Sequence, residues 1–392
     1  MAILHRAPWV LPISAPPVVD GAVMVENGMI VAVGPYRHLR HGKHARLVEH
    51  EGRILLPALL NCHCHLELSG CAAMTDREVA PAHMPAWITE LLALRASRSG
   101  EDDTSLACAV LARQHADGVA LLVDIGNGLR PAASCHDMTR VDYYTELLGL
   151  SRQATLLALQ VMQDHDDGHN FTCHAPYSTS AALLQAVKER AALLRRLYPL
   201  HVGESLDEVE FLATGHGPFR SFLEERGVWD GSFAVPGCGP VAYLERLGLL
   251  DELTLCVHCL HLDEAEIDLL ARRRAGVCLC AGSNRFLGVG RAPLAEMLAV
   301  GLKPCLGTDS LASNPRLSLW REMNILADDH PQLDPALILA MATWNGAEIV
   351  ARSELGRLAP GGSAHFIAVA YEGSSPLEFL VREPHVKDVY WV

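Results

Sequence analysis

The chain has 392 residues, of which 50% are hydrophobic and 20% are charged, and its formal net charge is −14. This length and composition indicate one large globular domain with a smaller one, or two to three ordinary domains. The acidic balance argues against nucleic acid or an anionic membrane surface as the main partner, because both bind a basic face.

No apolar run reaches the roughly 18 residues that a membrane-spanning helix needs. The N-terminus shows no basic segment followed by a long apolar core, so no secretory signal is expected and the cytoplasm is predicted. The 12 cysteines are spread through apolar segments, where we expect buried, reduced thiols. The close cysteine pairs lack the spacing of paired zinc knuckles, which favours packing over a cysteine metal site.

Both ends of the chain have the character of short strands joined by turns. Within residues 1–56, Asn27 and Gly28 stand between two apolar runs, which predicts a two-residue hairpin turn. Residues 364–370 are strand-like as well. The sequence therefore predicts a small composite β-sandwich domain made of residues 1–56 and 351–392.

The first strand of the middle region is predicted from the apolar run at residues 54–60. Such a run is typical of a strand buried on both faces in a parallel sheet. Because side chains alternate faces along a strand, His63 and His65 are predicted to share one face, and Cys62 and Cys64 the other. Two adjacent imidazoles at a strand end make half of a metal site.

Residues 57–350 alternate apolar strands with helical stretches, the pattern of repeated βα units. The eight predicted strands end within residues 61–65, 119–124, 141–146, 171–174, 199–204, 253–258, 276–280 and 303–309. This count predicts an α/β fold with a (β/α)8 TIM-type barrel, whose functional residues lie at the carboxyl ends of the strands. Seven of the eight strands carry a histidine or an acid near that end.

Five motifs occur in order along this region: His63-x-His65, His174-Ala-Pro-Tyr-Ser, His201-x-x-Glu204, His258 and Gly307-Thr308-Asp309-Ser310. In this order they resemble the amidohydrolase superfamily, and within it the aminohydrolase branch of deaminases and chlorohydrolases. The resemblance covers nearly the whole chain. It implies the same barrel and the same composite β domain, and a metal-dependent hydrolase.

The resemblance implies that His63, His65, His201 and Asp309 hold one divalent metal ion. Three imidazoles and a carboxylate leave a position open for water, as in catalytic sites. Imidazole binds both zinc and iron, so Zn²⁺ is predicted with Fe²⁺ as the alternative. Many relatives hold a second metal through a carboxylated lysine. This chain has His174 at that place and no nearby lysine, which favours a single metal.

The same resemblance implies the catalytic roles. Asp309 would take a proton from the metal-activated water, and His258 would hydrogen-bond that water. Glu204 would protonate a ring nitrogen while the water adds to the neighbouring carbon. Glu204 also opens an acidic stretch, so complementing a helix N-terminus is its alternative role.

The stretches 65–69 and 283–288 resemble the aminodeoxyfutalosine deaminase group, which acts on an adenine nucleoside with a benzoate tail. Under this resemblance, Arg285 is predicted to bind the carboxylate, because a guanidinium matches planar carboxylates. A loop-ordering ion pair is the alternative for Arg285. Glu67 is predicted to bind a ribose hydroxyl or the base, and the substrate-binding residues His174 and Trp87 are predicted to shape and close the pocket.

Other functions remain open at this point. Within enzymes, the substrate is alternatively methylthioadenosine or adenosylhomocysteine, guanine or another free base, or a triazine. Outside this class stand a catalytically silent barrel scaffold, although such barrels usually lack the ligands, and a cysteine-based zinc interaction module. The predicted partner is a small-molecule substrate. Many barrels of this type are dimers, so a homodimer is one alternative, but the sequence identifies no interface and leaves the oligomeric state open.

Overall fold

The structure, a computed structural model, describes residues 2–40, 45–76, 80–98, 103–128, 139–383, 386 and 388–392. Its strands are β1 (Ala2–Val10), β2 (Val18–Glu26), β3 (Met29–Pro35), β4 (Arg46–Glu49), β5 (Arg53–Pro57), β6 (Leu59–Cys64), β7 (Val119–Gly126), β8 (Arg140–Leu147), β9 (Phe171–Cys173), β10 (Tyr198–Val202), β11 (Thr254–His258), β12 (Gly276–Leu279), β13 (Cys305–Leu306), β14 (Phe366–Ala370) and β15 (Val389–Trp391).

The helices are α1 (Tyr36–Leu39), α2 (Met84–Ser97), α3 (Asp103–Ala116), α4 (Arg152–Gln163), α5 (Ala181–Leu193), α6 (Leu206–Thr214), α7 (Pro218–Glu225), α8 (Pro240–Arg246), α9 (Glu264–Arg273), α10 (Ala281–Leu287), α11 (Leu294–Ala299), α12 (Leu319–Asp329), α13 (Pro335–Met341), α14 (Trp344–Ile349) and α15 (Pro376–Arg382). A 3₁₀ helix spans Leu66–Thr75. Within the described residues, no helix is both long enough and apolar enough to cross a membrane.

Strands from both ends of the chain form one seven-stranded sheet in the order β15-β14-β5-β1-β2-β3, with β4 paired to β1. The predicted hairpin is present between β2 and β3, and Asn27 and Gly28 both have positive φ, as a tight hairpin turn requires. A sandwich would need two facing sheets. The described strands instead join in a single sheet, because β5 pairs with β1 and with β14. The predicted domain boundaries stay a prediction.

All eight strands predicted for the middle region are present, as β6 to β13. They form two four-stranded parallel sheets, β6-β7-β8-β9 and β10-β11-β12-β13. Backbone hydrogen bonds connect the sheets at both edges: Thr308 N and Asp309 N donate to His63 O at 3.0 and 3.1 Å, and His201 N donates to His174 O at 2.9 Å. The carboxyl ends of β6 and β13 therefore lie side by side, as do those of β9 and β10.

The end of β6 is irregular, and this changes which side chains share a face. The pairing of β6 with β7 shifts in register between Asn61 and Cys64. Cys62 packs with Leu60 and with alternate residues of other strands, whereas Cys64 packs with Leu66 and helix α3. The prediction that Cys62 and Cys64 share a face is therefore wrong, because such a shift re-aims the side chains that follow it.

The cysteines of the described residues are mostly core residues. The free thiols are all buried except Cys238. Cys108 is disulfide-bonded, so the expectation of reduced thiols does not hold for it. A buried thiol behaves as a small apolar side chain, which accounts for the cysteines on β6, β12 and β13.

Candidate metal centre

Three histidines from two strand ends converge on one point. The nearest ring nitrogens of His63, His65 and His201 all lie within 4.8 Å of one another. The Nε2 atoms of His63 and His65 are 3.1 Å apart. Asp309, which follows β13, places Oδ1 3.8 Å from the first and 3.6 Å from the second. The structure thus brings the four predicted ligands together, and all four are buried.

The protonation states of these groups fit a cation. Burial, followed by repulsion from neighbouring histidines, lowers the pKa of His63 and of His201, so both rings are neutral near pH 7. His65 Nδ1 lies 2.9 Å from the carbonyl oxygen of Ile125 and donates to it, which leaves a lone pair on Nε2. When His63 carries its hydrogen on Nδ1, three ring lone pairs and a carboxylate face one another, an arrangement that a divalent metal ion satisfies.

A chain of hydrogen bonds sets the tautomer of His201. His258 Nδ1 lies 2.9 Å from Asn284 Oδ1, an acceptor, so Nδ1 carries the hydrogen and Nε2 the lone pair. His201 Nδ1 lies 3.0 Å from that Nε2 and donates to it. The remaining nitrogen, His201 Nε2, is buried without a hydrogen-bond partner and keeps its lone pair for the metal. Asn284 therefore orients His201 through His258, which contacts both of them.

Replacing Asn284 by leucine is expected to weaken metal binding ten- to a hundredfold, the usual effect of losing a group that orients a ligand histidine. Asn284→Asp keeps an acceptor for His258 Nδ1 and should bind metal nearly as well as the wild type. The measurement is the metal dissociation constant by competition with a chelator. Asn324→Leu, at an amide that donates to the carbonyl of Arg382, is the matched control. Equal metal affinity in the Asn284→Leu variant and in the wild type would contradict this role.

Asp309 is held with one oxygen free. Its Oδ2 accepts hydrogen bonds from Ser283 Oγ and Ser313 Oγ, both at 2.7 Å, so Oδ1 faces the histidines. Burial by itself would raise the pKa of this carboxyl, but the neighbouring histidines, with the Ser283 hydrogen bond, outweigh it and lower the pKa to about 2. The backbone at Asp309 has φ 58°, a strained left-handed conformation of the kind that clusters at functional sites.

Glu204 lies beside His258, with Oε1 3.4 Å from Nε2. Burial, with the nearby carboxylate of Asp309, raises the pKa of Glu204 to about 8. The alternative role at a helix N-terminus is filled by other residues: Ser205 caps α6 by accepting from Glu208 N at 3.2 Å, and Glu208 Oε2 accepts from Glu204 N at 3.0 Å. Burial thus favours the protonated form of the Glu204 carboxyl, next to the predicted metal ligands.

His174 and Glu146 border the metal cluster on the side of His201. Glu146 Oε1 is buried without a hydrogen-bond partner and lies 4.0 Å from His201 Nε2. The ring centroids of His174 and His201 are 4.9 Å apart, and Ser178 Oγ bonds to His174 Nδ1 at 2.8 Å. These residues make a polar wall beside the centre, and the substrate-binding role predicted for His174 stays a prediction.

Two of the predicted substrate-binding side chains are engaged elsewhere. Glu67 accepts hydrogen bonds from Arg95 at 3.1 Å and from the backbone N–H of Asn127 at 2.7 Å. Arg285 Nη2 lies 2.9 Å from Asp329 Oδ1. Within the described contacts, neither Glu67 nor Arg285 touches the histidine cluster, so their substrate roles stay predictions.

Trp87 lies on α2, a helix that bridges two loops of the site. Its indole Nε1 donates to the carbonyl of Ala312 at 3.3 Å, three residues beyond Asp309. At the start of α2, the N–H of Met84 donates to Asp207 Oδ2 at 2.9 Å, three residues beyond Glu204. Helix α2 is therefore tied to the segments that directly follow both acids, and the closing role predicted for Trp87 stays a prediction.

Sequence reasoning did not identify the residues that orient the site. Asn284, Ser283 and Ser313 carry no motif of their own, since an amide or a hydroxyl is common in any loop. The one signal was position: Ser283 and Asn284 directly precede Arg285 in a stretch already singled out.

Known proteins resemble this chain over most of its length. The Amidohydrolase family matches residues 54–390. A 5-methylthioadenosine/S-adenosylhomocysteine deaminase of Pelotomaculum thermopropionicum is 28% identical, with 94% of this chain and 82% of that protein covered. A 5'-deoxyadenosine deaminase of Methanothermobacter thermautotrophicus is 27% identical, with 88% and 80% covered.

Solved structures agree in fold. The aminofutalosine deaminase of Helicobacter pylori in complex with methylthio-coformycin superposes with a TM-score of 0.84 at 22% identity, over 99% of this chain and 97% of that one. An adenosine deaminase from Xanthomonas campestris with bound zinc gives a TM-score of 0.77 at 24% identity, over 99% and 91%. With the family match, these likenesses identify the two parallel sheets as a TIM-barrel-type α/β fold.

Proposed function

The chain belongs to the amidohydrolase family and is a metal-dependent hydrolase that acts on carbon–nitrogen bonds; we propose that it is a hydrolytic deaminase of an adenosine-type nucleoside. The observation that carries this proposal is the position of the buried Glu204 carboxyl, 3.4 Å from His258 and beside the four converging side chains, where burial raises its pKa. Deamination of an aminopurine needs an acid for the ring nitrogen next to the attacked carbon. The deaminases among the relatives support the choice of ammonia as the leaving group.

His63, His65, His201 and Asp309 are the residues that would hold the metal. When bound at such a site, a divalent metal lowers the pKa of water from 15.7 toward roughly 7. Asp309 Oδ1, ionised because its pKa is about 2, accepts the proton of the attacking water. The two serine hydrogen bonds on Oδ2 keep Oδ1 directed at that water.

Glu204 donates its proton to the ring nitrogen, and the carbon–nitrogen double bond there becomes single as the water oxygen adds to the carbon. The attacked ring carbon becomes tetrahedral. Asp309 passes the water proton to the amine, the carbon–nitrogen bond breaks to release ammonia, and the added hydroxyl becomes the ring carbonyl as its proton returns to Glu204. His258 supports the step by holding His201 in its ligand tautomer and by contacting Glu204. General acid–base steps of this kind contribute about 10²- to 10⁴-fold each.

The finer proposal concerns the tail of the nucleoside, and a carboxylate-bearing, aminodeoxyfutalosine-like tail has one observation in its favour. A cavity of about 240 Å³ contains Arg285 and Arg291, which share Asp329 Oδ1 at 2.9 and 3.2 Å and keep further N–H groups exposed. Asn284, the partner of His258, lines the same cavity. A carboxylate held by these guanidinium groups would thus lie in the cavity that Asn284 lines, and Asn284 contacts His258.

An uncharged thioether tail is the second candidate, and a neighbouring cavity of about 190 Å³ favours it. This cavity adjoins Glu204 through Ser205, and its lining includes the apolar residues Met84, Leu206 and Leu287. Its lining has one acid, Asp207, and no arginine or lysine. Such a lining disfavours a carboxylate relative to an uncharged group, because it carries an acid and offers no arginine or lysine to offset the charge.

The test is ammonia release from a panel of nucleosides by protein whose metal content is measured. Aminodeoxyfutalosine, methylthioadenosine, adenosylhomocysteine and 5'-deoxyadenosine are compared by kcat/KM, with guanine as a free base. Arg285→Ala should lower kcat/KM at least about tenfold for the carboxylate-tailed substrate and leave the thioether substrate unchanged. Arg220→Ala, at a half-buried arginine of α7 that pairs with Glu224, is the control. If none of the nucleosides releases ammonia although the protein holds about one metal per chain, the proposal is wrong.

A further inference from the structure

A cleft lies at the amino ends of the parallel strands, at the opposite end from the candidate metal centre. Its volume is about 220 Å³, and it is lined by residues at the amino ends of strands: Arg140 and Asp142 begin β8, and Leu197 and Leu253 immediately precede β10 and β11. Arg352, after α14, contributes a further wall. The metal ligands are at the carboxyl ends, so this cleft is separate from the proposed active site.

The cleft is strongly basic in a chain of net charge −14. Its lining contains four arginines, Arg140, Arg195, Arg196 and Arg352, and a single carboxylate, Asp142, which leaves a charge of +3. Clustered guanidinium groups repel one another, and only opposite charges placed among them relieve that repulsion.

Asp142 forms ion pairs with two of the four arginines. Its Oδ1 accepts from Arg140 Nε at 3.0 Å, and its Oδ2 lies 3.2 Å from Arg352 Nη2. Arg195 and Arg196 form no ion pair within the part of the chain that the structure describes. Arg352 Nε is in addition buried with no hydrogen-bond partner. Donors therefore remain for a ligand after the resident acid is satisfied.

Asp166 and Asp167, acids of the adjoining loop, already have partners. Asp166 Oδ1 accepts from the backbone N–H of Gly168 at 3.0 Å, and Asp167 lies 3.8 Å from Arg190 Nη1. Neither lines the cleft. The positive charge of Arg195 and Arg196 is thus not cancelled by these neighbours.

We propose that this cleft is a second binding site, one that takes a small anion with one or two phosphoryl groups. Guanidinium forks bind phosphate oxygens by paired hydrogen bonds, and three net positive charges match a multiply charged phosphoryl ligand better than a single carboxylate. The volume accommodates a compact anion of the size of pyrophosphate. The inference does not depend on the proposed deaminase function, because it uses none of the residues of the metal centre.

The probe is inorganic pyrophosphate, titrated calorimetrically into the metal-loaded protein at constant ionic strength, with inorganic phosphate and citrate as comparison anions. The double variant Arg195→Ala/Arg196→Ala is expected to bind pyrophosphate at least about tenfold more weakly than the wild type. These two residues are chosen because neither is paired to an acid, so their removal leaves no carboxylate without a partner. The α7 control, Arg220→Ala/Arg226→Ala, removes the same charge from α7 and from the residue that follows it, and should bind within about twofold of the wild type.

A second measurement separates binding from damage to the fold. Pyrophosphate should raise the thermal unfolding midpoint of the wild type and of the α7 control, and not that of the double variant, because a ligand stabilises only a state that binds it. Metal content is measured after each titration, since pyrophosphate chelates metals. No binding by the wild type at millimolar pyrophosphate, equal binding by both double variants, or tighter binding of citrate would each overturn the proposal.

Discussion

Glu204→Gln is expected to lower kcat by about 10²- to 10⁴-fold while the metal content stays at the wild-type level. Glutamine keeps the size and shape of the side chain but has no acidic proton for the ring nitrogen. The carboxyl is not one of the four converging ligands, so its loss leaves the metal in place. The measurements are steady-state ammonia release and metal per chain. Glu210→Gln, an exposed acid on α6 in the same acidic stretch, is the control and should keep wild-type activity.

The pH dependence gives an independent check on the same residue. The protonated form of Glu204 is the proton donor, and burial with the charge of Asp309 places its pKa near about 8. We therefore expect kcat/KM to fall about tenfold per pH unit above about 8, and this limb to be absent in Glu204→Gln. A decline above pH 8 that persists unchanged in the variant would assign that limb to another group.

The sign of the effect on stability follows from the same shift. The folded state holds this proton more tightly than the unfolded state, because the pKa rises from 4.5 to about 8 on folding. The stability that this difference contributes is fully present below pH 4.5 and is lost as the pH rises through about 8. Glu204→Gln should therefore flatten the decline in the free energy of unfolding between these values.

His65→Ala is expected to remove most of the metal and to abolish ammonia release. The variant deletes one of three imidazoles, and the open position of a catalytic site leaves no spare protein ligand to replace it. Metal per chain after dialysis should fall to about a tenth of the wild-type value or less, an estimate based on the loss of one of four ligands. Far-ultraviolet circular dichroism verifies the fold. His65 stands just after β6, so the strand itself is kept.

The control for this variant is His261→Ala. The His261 ring bonds to the carbonyl oxygen of Val289 at 2.7 Å and is not one of the three clustered histidines. It should keep both metal and activity. A cysteine-based zinc module predicts the opposite for the test variant, namely metal retained after loss of His65. That result would show that the metal is bound outside the histidine cluster.

The sequence by itself predicted the strands of the middle region and the order of the chemistry along them. An apolar run such as residues 54–60 predicts a buried strand through local side-chain chemistry alone. The single strand predicted there was wrong: the run is divided between β5, which joins the sheet of the chain ends, and β6, which joins the parallel sheet. The ligand set His63, His65, His201 and Asp309 was predicted from the ordered motifs and the family they resemble, and it stays a prediction.

Contacts between distant segments decided what those residues can do. The tautomer of His201 depends on Asn284, and the free oxygen of Asp309 depends on Ser283 and Ser313. The pKa of Glu204 depends on how much water the folded chain removes from its surroundings. None of these relations produces a periodic pattern in the sequence, because hydrogen bonds and desolvation depend on which residues are close in space.

The faces of Cys62 and Cys64 and the surroundings of Arg285 also depended on the tertiary structure. A register shift in β6 separated two cysteines that strict alternation placed together. Asp329, from α12, gave Arg285 a partner that its own loop could not supply. The basic cleft is the clearest case: Arg140, Arg195, Arg196 and Arg352 meet only because parallel strands align their amino ends, so charges scattered over more than 200 residues of an acidic chain become one site.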